Sequence, residues 1–384
     1  MGGCCIRYRE ADFAFSSTGG IAMSVNERHI YAGGNTARGY RSFLNAILTG
    51  IDRRIVLTGD AEGLASRLIE KIGEQAIRLG QRVEWIHSPF VNGAFDGVVI
   101  PEWSAAVVDG GYPRQFKPEG PGLIETYVNL QDAVDKQKLA SHREEIVSLL
   151  ERIEASTLEA HQAFAEALRI HDEWEGIFIA HLDREKANQV GDEVIRLFFG
   201  EDTAAKRARV RRMYLGAATS AGPKDFVPNL TAEVSKRYLI KGRPGSGKST
   251  ILKRLVAEAQ RRGFDAEVYH CGLDPNSLDM VVLPERGLAI FDSTAPHEYF
   301  PERETDEVID MYERAIQPGT DERYQSQIAT FQKRYKEATK RGTACLKAAE
   351  ECRIRLSLIY QEATDERKLA ELEAAISSQL GSDR

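Results

Sequence analysis

Residues Gly242 to Thr250 read Gly-Arg-Pro-Gly-Ser-Gly-Lys-Ser-Thr and bring glycines, one lysine and adjacent hydroxyls into one short segment. The spacing satisfies G-x-x-x-x-G-K-[ST], with Gly242, Gly247, Lys248 and Ser249 at the required positions. In such a loop the glycines let successive backbone N–H groups turn inward around phosphate oxygens. They do so at a helix N-terminus, which already favours anions. Lys248 then reaches terminal phosphates, and the Ser249 hydroxyl is a ligand for Mg²⁺. The expected binding set is Gly242, Pro244, Gly245, Ser246, Gly247, Lys248, Ser249 and Thr250. The flanks agree with the motif. Apolar Tyr238-Leu239-Ile240 before it reads as a strand, and Ile251 to Val256 after it opens a helix.

A second chemical candidate lies downstream. Leu288-Ala289-Ile290-Phe291 reads as a buried strand ending in Asp292, the acid expected to hold Mg²⁺ or its waters beside Ser249. The next residue is Ser293 and not Glu, so no general base follows directly. Thr294, His297 and Glu298 leave the sheet at the same end, and Asp274 and Asp279 leave the preceding strand there. Lys248, Asp292, Asp274 and His297 form the expected catalytic set. Two of these have plain alternatives: His297 as a helix-capping or surface residue, and Asp274 as an Asx turn before Pro275. The histidines show no metal-ligand spacing, so no metal beyond Mg²⁺ is expected.

The elements that must position these residues occur twice. Sliding the sequence by 183 positions (214 − 31) sets Tyr31 on Tyr214, Gly33 on Gly216, Gly59 on Gly242, His87 on His270, Asp96 on Asp279 and Asp109 on Asp292. We read two repeats of one fold. The first repeat carries Gly59-Asp60-Ala61-Glu62-Gly63-Leu64-Ala65-Ser66 where the second has its loop, so Ala65 answers Lys248 and Leu64 answers Gly247. Asp60 and Glu62 add charge of the wrong sign for a polyphosphate. No nucleotide is expected there. Residues kept in both copies, such as His87/His270 and Asp96/Asp279, read as parts of the fold, whereas Cys271, Asp274, Thr294, His297 and Glu298 are confined to the second copy.

Strands alternating with helices predict an α/β fold: a tandem duplicated P-loop NTPase with a three-layer, mainly parallel sheet and ligands at strand C-termini. The expected units are an N-terminal extension over 1–26, a degenerate repeat over 27–205 and an intact repeat over 206–384. Met23 is a possible natural start. Met-Gly-Gly-Cys-Cys hints at acylation, but Ile6 stands where Ser or Thr is needed. Each repeat ends in a charged helical stretch, Leu139–Leu197 or Glu322–Leu380, whose broken periodicity and Gly342 suggest a helical hairpin. The net charge of −7 argues against a nucleic-acid binder, and no apolar run is long enough for a membrane span. Five cysteines without zinc spacing fit a reducing cytoplasm.

The stretches around Gly242–Thr250, Val268–Val281 and Ala289–Tyr299 resemble a family of bacterial tandem P-loop ATPases, found mainly in Firmicutes and without an assigned physiological function. The resemblance runs from about His29 to the end and implies ATP with Mg²⁺ as ligand. Members often carry a phosphate loop in the first half as well, and this chain departs there at Leu64-Ala65. Three readings stay open: an ATPase with one active site and packed repeats, a kinase acting on a small molecule or nucleotide, or a nucleotide-dependent switch that signals to an unidentified protein partner.

Overall fold

The computed structural model describes residues 26–381, apart from residues 60 and 115. The expected N-terminal extension lies, up to residue 25, outside the described residues, as does Asp60. The first half runs β1 (Glu27–Tyr31), β2 (Gly33–Thr36), β3 (Gly39–Ser42), α1 (Leu44–Ile47), β4 (Arg53–Thr58), α2 (Leu64–Arg78), β5 (Val83–His87), β6 (Phe95–Ile100), β7 (Ala105–Asp109), β8 (Glu125–Asn129), α3 (Lys136–Ser141), α4 (Arg143–Ile179) and α5 (Arg184–Phe199). The second half runs β9 (Val210–Tyr214), β10 (Gly216–Thr219), β11 (Gly222–Asp225), α6 (Val227–Leu230), β12 (Lys236–Lys241), α7 (Lys248–Arg262), β13 (Ala266–His270), β14 (Leu278–Leu283), β15 (Leu288–Asp292), β16 (Glu307–Asp310), α8 (Met311–Ala315), α9 (Thr320–Arg323), α10 (Gln325–Glu362) and α11 (Glu366–Leu380).

Twelve strands form one sheet in the order β16-β12-β15-β14-β13-β9-β1-β5-β6-β7-β4-β8. The order reads alike outward from its centre, where β1 and β9 meet antiparallel at Tyr31 and Tyr214. The sheet is mixed: six of its pairings are parallel and five antiparallel. The antiparallel pairs arise because β14 follows β13 after a short loop and turns into β15 through the 3₁₀ turn Pro284–Arg286. Neither connection has room for a crossover helix. The strand entering the phosphate loop, β12, lies directly beside β15, in register from Lys236–Leu288 to Ile240–Asp292. Their C-terminal ends therefore emerge together.

Two ion pairs repeated across the centre hold the halves. Arg28 of β1 and Arg211 of β9 each bond both Glu84 of β5 and Glu267 of β13. Burial raises the cost of these carboxylates, but the two guanidinium groups outweigh it and hold the Glu84 carboxyl down at about 2. One face of the sheet forms a single apolar cluster containing Ile30, Val56 and Val108 of the first half with Met213, Leu239 and Phe291 of the second.

The helical stretches differ from the expected hairpins. Each forms a long helix, α4 of 37 residues or α10 of 38, about 55 Å at 1.5 Å per residue, followed by a shorter one, α5 or α11. The two long helices pair with each other. Leu149 and Ile153 meet Cys352 and Leu356, Phe164 meets Leu346, Ile170 meets Ala338 and Phe178 meets Ile328, so the pair is antiparallel. Gly342 does not break α10. It allows the close crossing, since a Cβ there would lie 2.5 Å from Phe164 Cε1.

The helices that follow are exchanged. Val190, Val194 and Phe198 of α5 pack on Leu252 and Leu255 of α7 in the second half. Leu369, Ile376 and Leu380 of α11 pack on Leu68 and Ile72 of α2 in the first. Residues 27–205 and 206–384 thus each complete the other's core. No described helix is long and apolar enough to cross a membrane.

Candidate functional site

The loop from Gly242 to Gly247 joins the end of β12 to the start of α7. Gly242, Gly245 and Gly247 have φ of 151°, 76° and 90°, values that side-chain-bearing residues rarely adopt. Gly247 is the N-cap of α7, whose apolar residues Ile251, Leu252, Leu255, Val256 and Ala259 face the sheet until Gly263 ends the helix in the left-handed region. Gly245 sits under the C-terminal turn of α4, and a Cβ there would lie 2.7 Å from the Glu175 carbonyl oxygen. Arg243 points outward and pairs with Asp321 at 2.6 Å. Pro244 is half-buried, and Thr250 is exposed on the first turn of the helix.

Lys248 is nearly buried. Its ammonium donates to the carbonyls of Gly242 (2.9 Å) and Arg243 (3.1 Å) and lies 3.6 Å from Asp292 Oδ2. The other Asp292 oxygen accepts from the Thr294 backbone N–H at 3.1 Å and from its hydroxyl. The acid is therefore oriented with Oδ2 toward the lysine. Ser249 accepts the Leu278 backbone N–H at 3.0 Å, and Ser66 does the same for Phe95 at 2.9 Å in the first half. That hydroxyl therefore also ties helix to sheet. Ser246 is fully buried in the loop, and its Oγ has no hydrogen-bond partner among the described residues. A buried hydroxyl left without a partner is costly in a closed protein interior.

His297 and Asp274, both expected beside the phosphates, are each held by a side chain from another element. His297 Nδ1 lies 2.6 Å from Asp225 Oδ2, and Tyr299 donates its hydroxyl to Asp225 Oδ1, also at 2.6 Å. Burial is the largest single influence and opposes charge on the imidazole, but the bond to Asp225 and the charges of Asp225, Asp279 and Asp292 together raise its pKa above the usual value. Asp274 forms an Asx turn with Asn276 and pairs with Arg38 of the first half at 3.0 Å. It makes no described contact with Lys248 or Asp292. Ser293, standing where a Glu was sought, is fully buried and pins the following loop by donating to the Tyr299 carbonyl at 2.6 Å.

Asp279, which the sequence places at this edge but leaves out of the catalytic set, is only 8% exposed. Burial first, and the neighbouring Asp292 charge second, push its carboxyl up to about 6. Because Asp96 matches it in the first half, it read as part of the fold. The informative signal was the change of Arg114 to His297. In the first half Arg114 bonds both Asp96 (3.0 Å) and Asp109 (3.1 Å), so that acid pair is neutralised in place. In the second half no arginine takes this position, and Asp279 and Asp292 stay near Lys248. The first-half loop is also filled: Leu64 and Ala65 belong to its apolar core, and Glu62 is bound to Arg353 at 2.8 Å.

Comparisons of the chain with protein-family models, with curated proteins and with solved structures find nothing that matches it.

Proposed function

We propose that the chain is an ATPase with one Mg²⁺-ATP site, in the second half, and that the first half is a copy of the same fold that binds no nucleotide. The observation carrying this reading is the buried, unpartnered Ser246 hydroxyl within a loop of left-handed glycines, beside a lysine 3.6 Å from Asp292. Backbone N–H groups, a hydroxyl and an ammonium converging at a helix N-terminus suit a polyphosphate. Ser249 and Asp292 supply the hard oxygen donors that Mg²⁺ takes, and the ion would neutralise charge on the phosphates during transfer. The filled loop around Leu64, Ala65 and the Glu62–Arg353 pair supports a silent first half.

Descent from two copies of one unit is supported by the strands: β1 to β7 and β9 to β15 keep the 183-residue offset at both ends. The same reading extends to the tandem P-loop ATPase family described above and to a cytoplasmic location, where ATP is supplied.

Titration calorimetry with Mg²⁺ and a non-hydrolysable ATP analogue, with phosphate release from ATP followed in parallel, tests the proposal. One site with steady release is expected. Release only when an acceptor is added would make the protein a kinase, and binding without release would make it a switch. No binding at millimolar nucleotide would refute the site.

A further inference from the structure

Asp225 lies at the end of β11, far in sequence from β15, yet it is bonded to His297 and Tyr299 in the loop that leaves β15. Both carboxylate oxygens are engaged: Oδ2 by His297, and Oδ1 by the Tyr299 hydroxyl and the Val227 backbone N–H (3.1 Å). The side chains of His297 and Asp225 are each only 13% exposed, so the bond is shielded from water. Burial pushes the Asp225 carboxyl up, and the His297 bond and charge, with the bonds from Tyr299 and the Val227 N–H, together outweigh it, leaving its pKa below the usual value. Each partner thus favours the charged form of the other.

This arrangement exists in one half only. The positions matching Asp225, His297 and Tyr299 are Ser42, Arg114 and Phe116, and Arg114 binds the acid pair directly. In the second half the side chain at this position, His297, is drawn back onto Asp225 and leaves Asp279 and Asp292 without an arginine partner. His297 Nε2 makes no hydrogen bond among the described residues. The charged groups around the ring are Asp225 from β11, Asp279 from β14 and Asp292 from β15, with the Tyr299 hydroxyl on its own loop.

Resting on the ATPase reading above, we propose that Asp225 is a positioning residue that fixes the His297 ring, so that Nε2–H donates to an oxygen of the transferring phosphoryl group. His297 is then a fixed donor to developing charge, the task an arginine performs in many phosphoryl-transfer sites. It keeps its proton through the step. A carboxylate accepting Nδ1–H behind the ring favours the doubly protonated imidazolium, which keeps Nε2–H as a donor, and a buried bond of this kind leaves the ring little freedom to turn away.

The test is a double-mutant cycle on the full chain with Asp225→Asn, His297→Ala and the combination, plus Asp225→Glu. Nucleotide affinity, kcat and KM are measured together with histidine ¹⁵N spectra, in which His297 is assigned by its loss in His297→Ala. We expect Asp225→Asn to lower kcat about 10-fold or more while analogue affinity and KM stay within about 2-fold. We also expect it to lower the pH at which the His297 ring titrates, to have no further effect in the His297→Ala background, and to be partly rescued by Asp225→Glu. Additive losses in the double mutant, or an unchanged kcat in Asp225→Asn, would overturn the proposal. An unchanged His297 titration in Asp225→Asn would overturn it even in a protein without turnover. Absence of nucleotide binding in the parent chain is a different result, refuting the ATP site and not the Asp225–His297 pairing.

Discussion

Replacing Lys248 is the most direct perturbation of the site. Its ammonium rests on the Gly242 and Arg243 carbonyls and beside Asp292, so one group serves both the loop and its ligand. A charge-assisted bond to phosphate contributes about 1.5–3 kcal/mol. At about 1.4 kcal/mol per decade, Lys248→Ala should weaken Mg²⁺-ATP analogue binding about 10- to 150-fold. The two carbonyls lose about 0.5–1.5 kcal/mol each, less where water replaces the donor, so a modest fall in melting temperature accompanies the change. Lys248→Met keeps most of the apolar stem and should show the same binding loss with a smaller thermal effect. Calorimetry and thermal melts on both variants separate charge from packing. Unchanged affinity in both would refute the assignment of this loop. In the first half, Ala65→Lys should leave the stoichiometry at one, since Leu64 and the Glu62–Arg353 pair still fill the loop. A stoichiometry of two for the parent chain would contradict the silent first half.

Asp292→Asn should reduce turnover far more than nucleotide affinity, whereas Asp109→Asn, which meets Arg114 in the first half, should leave turnover within a few-fold; equal damage from both would refute a single active half. Asp274→Ala removes the Arg38 pair and an Asx turn and should lower the melting temperature with near-normal turnover. A large loss of turnover at an unchanged melting temperature would return Asp274 to the chemistry. Gly342→Leu forces a side chain into Phe164 at a cost of about 1–3 kcal/mol, larger than the roughly 1 kcal/mol gained in helix propensity; a raised melting temperature would argue against the close crossing. Stability should also fall in acid. Despite burial, Arg211 and Arg28 hold the Glu84 carboxyl at about 2, and Arg28 lowers Glu267, whereas unfolded glutamates titrate near ~4.3. Their contribution is fully present above about pH 4.5 and is lost as pH falls toward 2. A denaturation midpoint that stays flat from pH 4.5 to 2.5 would contradict this.

The phosphate loop was legible from sequence because everything that defines it is local. The glycines set the backbone path, the strand and helix follow from adjacent apolar patterns, Lys248 opens the helix after β12, and Asp292 ends the neighbouring β15. A mainly parallel sheet was expected, and within it β14 runs antiparallel because the connections on either side of it are too short for a crossover helix. Gly342 misled for a physical reason. A glycine within a helical pattern signals either a break or a close neighbour, and only Phe164 on the opposite helix distinguishes the two.

The exchange of α5 and α11 between the halves lay beyond sequence reasoning of this kind. An amphipathic face records that a helix is buried and not against which of two similar cores. The same holds at the site. Asp225, Asp279, Asp292 and His297 come from three strands and a loop, and Asp225 showed no motif of its own. The sequence by itself determined the glycine-rich loop after β12 and the absence of that pattern from the first half. Which charges surround that loop was decided by the tertiary structure, because burial and proximity are set by strand order and by the partner each side chain finds across it.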